Sequence, residues 1–234
     1  MVTVFQEFVR IGLLEGLSID ETSTILKSLR TRQFVQGQYI FNTGQNATCL
    51  YLLKSGLVKV SYISPDGDTK ILDICEENDI FGELFLGDTP YRIGLAQAMS
   101  DSTAYMINEQ TLFAIIQRYP QVGINFMRHL VNSHRQTMAR MHALQRTDAK
   151  VRLLGTLLYL TRHMCCIENA TFVLNPAITQ QDLADMTGLN RSTVSSLINK
   201  LRQDGVLGGS GRELVIDKKA IEDLLLDEGF ELLK

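Results

Sequence analysis

One stretch of the sequence, residues 179–201, constrains the fold more than any other. Ala184 comes four residues before Gly188, and Val194 comes six residues after it. This spacing predicts two short helices that cross closely at a turn, because alanine permits the close crossing, glycine permits the sharp turn and valine packs beneath it. We therefore expect a helix-turn-helix. The alternative is an ordinary helical hairpin inside a protein core.

The second helix of this motif has two different faces. Apolar residues recur at helical spacing on one face: Val194, Leu197, Ile198 and Leu201. The other face is polar: Arg191, Ser192, Ser195, Ser196, Asn199 and Arg202. Because most of these polar side chains are short, the helix is suited to enter the major groove of DNA.

A β-hairpin with a glycine-rich tip is expected after the second helix, within residues 204–217, where it would form a wing beside that helix. Arg212 in the wing is a candidate for contact with a phosphate, and a solvated loop charge is the alternative. The candidate DNA-contacting residues are Thr179, Gln180, Gln181, Asn190, Arg191, Ser192, Ser195, Ser196, Asn199 and Arg212.

The charge distribution agrees with this assignment. The 234-residue chain has a net charge of −3, yet residues 150–212 hold seven basic and four acidic side chains. Local charge governs the attraction to phosphates. The length predicts two domains. We expect a cytoplasmic protein, because the sequence contains neither a membrane-length apolar run nor the pattern of a signal peptide.

Residues 32–107 have a β-rich pattern. Short apolar runs alternate with glycine-containing turns, and Asp66-Gly67 is a hairpin signal between two of them. We expect a small barrel or sandwich. Short helices are expected before it, in residues 4–30, where Ser18 and Glu21 have the spacing of a capping box.

A long helix is expected to begin at Pro120, which suits a first helical turn. Residues 124–147 contain no proline or glycine. One set of side chains in this range follows alternating spacings of three and four residues: Ile124, Met127, Val131, His134, Met138, Met141 and Gln145. This pattern predicts dimerisation through the helix, with an intramolecular core as the alternative. Asp148 is expected to cap another helix that reaches about residue 164, with a hinge near residue 148. A short strand is expected at residues 172–174.

The sequence contains few groups of residues that indicate a catalytic, metal-binding or redox site. The sequence shows no nucleophile–base pairing, phosphate loop or metal-ligand spacing, so we expect no enzyme, no metal site and no iron–sulfur cluster. The adjacent Cys165 and Cys166 are interpreted as small apolar helix residues, with a redox switch as the alternative. His134 is the residue most suggestive of a haem ligand, and a structural or solvent-facing histidine is the alternative.

The order of these parts resembles the CRP/FNR family of bacterial transcription regulators. The resemblance implies an α+β protein with an N-terminal β-roll related to cyclic-nucleotide-binding barrels (residues 1–119), a long dimerisation helix (120–148) and a C-terminal winged helix-turn-helix (149–234). It further implies a homodimer that binds double-stranded DNA and RNA polymerase, with a β-roll that senses an effector and controls two recognition helices. The alternative function is a cyclic-nucleotide-binding module that acts on a protein partner.

The run from Phe81 to Leu84, followed by Arg92, resembles the family's phosphate cassette. The resemblance implies that Glu83 accepts hydrogen bonds from a ribose and that Arg92 pairs with a cyclic phosphate such as that of cAMP. Ile93 stands where the family has serine or threonine. The candidate effector-binding residues are Gly82, Glu83, Leu84, Arg92, Ile93 and Thr137. An ion pair between Glu83 and Arg92 that closes the β-roll is the alternative.

The recognition helix also departs from the family pattern. Ser192 and Ser196 stand where many relatives carry glutamate and arginine. Serine hydroxyls donate or accept, so they discriminate bases weakly. The family's usual operator therefore cannot be assigned to this chain, and DNA shape or the wing is expected to contribute specificity.

Overall fold

The computed structural model describes residues 12–89, 91–161, 165–168, 171–211 and 213–228. The chain forms two compact units, Val9–Asn132 and Ser133–Lys234. Both contain helices and strands, which confirms the α+β class. Within the described ranges, none of the helices is long and apolar enough to span a membrane. The expected helical residues 4–11, His163 and Arg212 lie outside the described residues.

The first unit contains α1 and the β-roll. Helix α1 spans Ile19–Ser28. One four-stranded antiparallel sheet has the order β1-β8-β3-β6, formed by β1 (Arg30–Phe34), β3 (Cys49–Ser55), β6 (Ile80–Phe81) and β8 (Ser102–Asn108). The other has the order β2-β7-β4-β5, formed by β2 (Tyr39–Phe41), β4 (Val58–Ile63), β5 (Thr69–Cys75) and β7 (Leu95–Ala98).

Local sequence signals in this unit are confirmed by hydrogen bonds. The Ser18 amide donates to Glu21 Oε2 over 2.8 Å, and the Glu21 amide donates to Ser18 Oγ over 3.3 Å, which completes the capping box. The turn between β4 and β5 contains Asp66-Gly67, and the Gly67 amide donates to the Ser64 carbonyl over 2.9 Å. Helix boundaries and hairpin register therefore follow from neighbouring residues.

The core between the two sheets includes a group of aromatic rings. Tyr51 and Phe81 stack with their ring centroids 5.1 Å apart, and Phe41 stacks on Tyr51 at 6.0 Å. Burial raises the pKa of Tyr51 to about 12, so its hydroxyl stays neutral at ordinary pH. These rings surround the side chain of Arg92, described below.

Helices α2 (Glu109–Arg118) and α3 (Pro120–Leu144) follow the β-roll. Pro120 begins the long helix as predicted, and the helix ends three residues before the expected residue 147. Asn125, 1% exposed, donates to the carbonyls of Leu13 over 3.1 Å and Glu15 over 2.7 Å. It also accepts from Gln121 Nε2 over 2.9 Å. The start of α3 is thereby joined to the chain that precedes α1.

The second unit continues with four helices and a small sheet. The helices after α3 are α4 (Ala149–Leu160), α5 (Gln180–Thr187), α6 (Arg191–Gln203) and α7 (Lys218–Asp227). The sheet has the order β11-β12-β10-β9, formed by β9 (Cys165–Glu168), β10 (Thr171–Val173), β11 (Leu207–Gly208) and β12 (Val215–Asp217). Asp148 caps α4 as predicted, because its Oδ1 accepts from the Lys150 amide over 2.6 Å.

Helix α4 ends at Leu160. Residues 162–164, to which the helix was expected to extend, lie outside the described residues. The interpretation of the two adjacent cysteines as helix residues is wrong. Cys165 and Cys166 are strand residues of β9, where Cys165 pairs with Val173 and Cys166 with Phe172. Pairing with β10 explains the difference, because strand preference depends on the neighbouring strand more than on the residue itself.

Candidate functional site

The turn between α5 and α6 has the geometry that the sequence predicts. Gly188 ends α5 in the left-handed conformation, with φ 66° and ψ 24°. Its amide and that of Leu189 both donate to the Ala184 carbonyl, the latter over 3.2 Å. At the other end of α5, Thr179 and Asp182 form a capping box. Both ends of α5 are therefore defined by their own hydrogen bonds.

The inner faces of the two helices form a closed core. Val194, Ile198 and Leu201 of α6 are buried together with Leu183 and Ala184 of α5. This confirms the predicted inner face of the helix-turn-helix. The hydroxyl of Thr187 donates to the Leu183 carbonyl over 2.7 Å, and Arg152 of α4 donates from Nη1 to the Thr187 carbonyl over 3.4 Å. These contacts hold α5 at a fixed position against α4.

The outer face of α6 remains polar and exposed. Arg191, Ser192, Ser196 and Asn199 are exposed, whereas Ser195 is partly buried. Asn190, which precedes the helix, makes no side-chain capping bond. Its amide is therefore available to a ligand. Exposed short side chains on one face and a buried apolar face on the other are what a groove-binding helix requires.

The start of α5 borders the same groove as α6. The Thr179 hydroxyl donates to Asp182 Oδ2 over 2.6 Å, and Gln181 Nε2 donates to Asp185 Oδ1 over 2.8 Å. Gln180 is partly buried. A cavity of about 460 Å³ is bounded by Thr179, Gln180, Gln181, Arg191, Arg202 and Gly211, with apolar residues beneath them. The structure thus brings together side chains from α5, α6 and the wing.

The predicted wing is a hairpin of β11 and β12, in which Leu207 pairs with Ile216. Arg202, which the sequence places on the DNA-facing side of α6, instead turns toward this hairpin. Its Nη2 donates to the Glu213 carbonyl over 2.7 Å and to the Gly211 carbonyl over 3.4 Å. Arg202 therefore lies at the junction of the polar face of α6 and the wing, and the sequence did not predict its carbonyl partners.

Arg92 points into the β-roll. Nη1 donates to the Gly82 carbonyl over 2.7 Å and Nη2 donates to the Cys49 carbonyl. The side chain is 6% exposed, and its guanidinium carbon lies 4.2 Å from the centre of the Phe41 ring. A Cβ atom on Gly82 would lie 2.7 Å from Arg92 Nη1, so glycine is required for this close approach.

The alternative interpretation, an ion pair between Glu83 and Arg92, is not what the structure shows. Among the described residues, Arg92 binds two carbonyls and forms no ion pair with Glu83. Glu83 begins a short 3-10 helix, Glu83–Leu86. Burial is the main cause that raises the pKa of Glu83, and the charge of Asp73 raises it further. A hydrogen bond from the Glu83 backbone amide lowers this pKa, and the charge of Arg92 lowers it by a smaller amount. The ionised form of the Glu83 carboxyl group is therefore disfavoured by the Asp73 charge and only weakly stabilised by Arg92.

The remaining candidate effector residues differ from Arg92 in exposure or in the unit to which they belong. Leu84 and Ile93 are 60% and 62% exposed. Thr137 lies on the α3 segment of the second unit, where its hydroxyl donates to the Ser133 carbonyl over 2.9 Å. Within the first unit, the structure brings together Gly82, Glu83 and Arg92.

The seam that the sequence predicts on α3 is exposed in the single chain. Ile124, Met127, Val131, Met138 and Met141 are each exposed by two fifths or more. His134 is also exposed. This row of apolar side chains is not covered by other described residues of the chain.

Comparison with known protein families agrees with this arrangement. Residues 31–119 match the model of the cyclic nucleotide-binding domain, and residues 151–224 match the model of the Crp-like helix-turn-helix domain. Together the two matches cover more than half of the chain, in the order that the structure shows. The chain belongs to the CRP/FNR family. As a CRP/FNR protein it is a DNA-binding transcription regulator and not an enzyme, and a module that acts on a protein partner is not favoured.

CRP/FNR relatives align along most of the chain. The CRP-like cAMP-activated global transcriptional regulator of Mycobacterium tuberculosis is 26% identical over 207 residues, 88% of this chain and 92% of that protein. The cyclic AMP receptor protein of Thermus thermophilus is 28% identical over 215 residues, 91% and 95% of the two chains. The structure of FixK2 from Bradyrhizobium japonicum has a TM-score of 0.72 at 23% identity and covers 84% of this chain and 96% of that one.

The match to a cyclic nucleotide-binding domain implies a cyclic nucleotide in the β-roll, and the residues present fit one only in part. Arg92 Nη1 and Nη2 each donate one N–H group to a carbonyl, whereas Nε is buried with no hydrogen-bond partner among the described residues. Ile93 offers no hydroxyl, and Met138 follows Thr137 where cAMP-type relatives offer a second one.

Three functional features of this CRP/FNR protein were not anticipated from the sequence. They are the bond from Arg92 to Cys49, the proximity of Asp73 to Glu83, and the bonds from Arg202 to the wing. Cys49 and Asp73 lie on β3 and β5, so strand pairing determines their positions. The glycine-rich tip that follows Arg202 was the available signal for the third feature, because a tip of this composition needs outside support.

Proposed function

We propose that this CRP/FNR regulator acts in the cytoplasm as a homodimer that reads two DNA half-sites about one helical turn apart. The exposed polar face of α6, opposite an apolar face on which Val194, Ile198 and Leu201 are buried, is the observation that carries the proposal. The residues proposed to contact DNA are Thr179, Gln180, Gln181, Asn190, Arg191, Ser192, Ser195, Ser196, Asn199 and Arg212. RNA polymerase is the proposed protein partner on bound DNA.

Dimerisation is proposed through residues 124–147. A row of exposed apolar side chains along five turns of α3 is expensive to leave in water, and a second copy of the same helix would cover it. Methionine at several positions gives an adaptable interface. The proposed domain boundaries remain 1–119, 120–148 and 149–234, with the hinge near residue 148.

Base recognition is proposed to depend on asparagine more than on serine. Asn190 has a free side-chain amide, and Asn199 is exposed on the groove-facing side of α6. An asparagine amide can pair with adenine through two hydrogen bonds, whereas a serine hydroxyl discriminates bases weakly. Adenine contacts and DNA shape therefore support the specificity that Ser192 and Ser196 do not supply.

A gel shift on the DNA upstream of the chain's own coding region tests this function. The wild type should bind this DNA more tightly than random DNA, with affinity that falls as salt rises. Arg191→Ala combined with Ser196→Ala should lose specific binding while the fold and the dimer persist. Lys219→Ala removes an exposed charge from α7 and serves as the control. Equal binding of the double variant and the wild type would contradict the proposed recognition surface.

The sensing site is proposed at the loop that contains Gly82, Glu83, Leu84, Arg92 and Ile93, with Thr137 as a further contact. The effector is proposed to be other than a cyclic nucleotide, since Ile93 offers no hydroxyl to a phosphate and two N–H groups of Arg92 already bind carbonyls. An effector must favour one arrangement of the dimer energetically, because equal binding to both would change nothing.

Calorimetry with cAMP and with cGMP tests the effector proposal. We expect no binding heat from either nucleotide at up to about 100 μM, which corresponds to a binding free energy weaker than about −5.5 kcal/mol. Arg92→Ala should leave this result unchanged. Tighter binding by the wild type that disappears in Arg92→Ala would instead assign the phosphate to Arg92.

A further inference from the structure

Arg202 links the recognition helix to the wing. Its Nη2 donates to the carbonyls of Glu213 and Gly211, at 2.7 Å and 3.4 Å. In the sequence these two residues stand on either side of Arg212. One guanidinium group therefore holds both ends of this short stretch of wing backbone.

The backbone of α6 at Arg202 is held in place by its neighbours. Leu201, its neighbour in α6, is buried in the helix-turn-helix core. The Asp204 amide closes the last turn by donating to the carbonyls of Lys200 and Arg202. A cation at the end of a helix also interacts favourably with the helix dipole. The wing carbonyls are therefore positioned relative to α6 and not only relative to the sheet.

The base of the wing is anchored in the four-stranded sheet. Strand β12 pairs with β11 through Leu207 with Ile216, and it pairs with β10 through Phe172 with Ile216. The tip beyond Gly208 lies outside this pairing, and within it the Glu213 amide donates to the Ser210 carbonyl over 3.0 Å. The tip thus depends on Arg202 for its position.

The Arg202 side chain is not optimised for stability alone. Its Nε is buried and has no hydrogen-bond partner among the described residues. An unpaired buried donor is unfavourable, and a methionine at this position would fill similar space without it. The partners that the guanidinium does bind are the two wing carbonyls.

We propose that Arg202 is a positioning residue that keeps the wing tip aligned with the recognition helix. Base contacts by α6 and backbone contacts by the wing are then made on the same DNA half-site at once. The inference rests on the DNA-binding function proposed above. It separates Arg202 from its neighbours on α6, which contact DNA directly.

The test compares three full-length variants with the wild type. Arg202→Met keeps the apolar stem, Arg202→Lys keeps the charge without the planar fork, and Lys200→Met removes an exposed charge two residues away. Amide hydrogen exchange is measured on the free protein at residues 208–211. Exchange there should accelerate at least tenfold in Arg202→Met and less in Arg202→Lys, with α5 and α6 unchanged. Lys200→Met should match the wild type.

Binding to the upstream DNA is then measured over a range of salt concentrations. Loss of one phosphate contact changes the slope of log affinity against log salt by about 0.9. We expect Lys200→Met to change the slope by no more than this, and Arg202→Met to change it by more, because the wing contacts are lost as well. An unchanged exchange rate at the tip, or equal slopes for the two methionine variants, would overturn the proposal.

Failure of this proposal can be told from failure of the proposed function. If the wild type binds upstream DNA no better than random DNA, the proposed function is wrong. The exchange measurement on the free protein still decides whether Arg202 holds the wing tip. If the wild type binds specifically and the tip exchanges at the same rate in every variant, only the role of Arg202 is rejected.

Discussion

Arg92 and Phe41 form a cation–π contact inside the β-roll, with the guanidinium carbon 4.2 Å from the ring centre. The same guanidinium donates to carbonyls of Gly82 and Cys49, so it joins the loop before the 3-10 helix to strand β3. A buried charge needs this many partners to be tolerated. The side chain that the family resemblance assigns to a phosphate thus stabilises the sensor domain itself.

Arg92→Met should lower the free energy of unfolding by about 1–3 kcal/mol, because the lost hydrogen bonds and ring contact outweigh the relief from burying a charge. Urea denaturation of the full chain measures the change. Arg32→Met is the matched control, since Arg32 lies over Phe34 at 5.2 Å but is exposed. Its loss should stay below about 1 kcal/mol. Equal losses for the two variants would show that Arg92 is not a structural residue.

Glu83→Gln should raise the melting temperature at neutral pH. Burial raises the pKa of Glu83 above its ordinary value of 4.5, so the folded protein binds this proton more tightly than the unfolded chain does. The stability linked to the proton is present at low pH and is lost as pH rises through the raised pKa. The advantage of the variant should therefore grow above about pH 4.5 and then level off. Glu77→Gln, at an exposed site, should show no such trend.

Gly188→Ala should destabilise the helix-turn-helix by about 1–2 kcal/mol, because alanine is strained in the left-handed conformation that Gly188 adopts. A Cβ atom there would meet nothing closer than Arg152 Nη1 at 3.9 Å, so the loss comes from the backbone and not from a clash. Gly188→Asn should lose less, since asparagine tolerates this conformation. Thermal denaturation distinguishes the two variants, and identical losses would contradict the backbone explanation.

Val131→Glu should weaken the proposed dimer. A two-fold interface would bury one new carboxylate from each protomer, and the dimer dissociation constant should rise by about 100-fold or more. Sedimentation velocity at several protein concentrations measures the effect. Gln117→Glu adds the same charge to an exposed site on α2 and should leave the association unchanged. A Val131→Glu protein with wild-type association would place the interface elsewhere.

Features set by neighbouring residues could be predicted from the sequence. The caps at Ser18 and Asp148, the Asp66-Gly67 turn and the helix-turn-helix around Gly188 each depend on residues a few positions apart. Hydrophobic periodicity likewise predicted which side of α6 would be buried. These local signals, together with their order along the chain, were sufficient for the architecture.

Features set by distant residues could not be predicted in this way. Arg92 and the carbonyl of Cys49 are 43 residues apart, and strand pairing alone brings them together. Strand β9 forms because β10 lies beside it, although its own residues suggested the end of a helix. The partner of Arg202 depended on the path of the wing. In each case the sequence shows the residue type, but the partner is determined by the fold.

The three hydrogen bonds of Asn125 restrict where the long helix can respond to a signal. Rotation of the first turns of α3 would separate its amide from the carbonyls of Leu13 and Glu15 and leave buried polar groups unpaired, at about 1–3 kcal/mol for each. A twist that begins after Asn132 leaves these bonds intact. The early turns of α3 are therefore more strongly held than the later turns, and we expect any rearrangement of this helix to begin after Asn125.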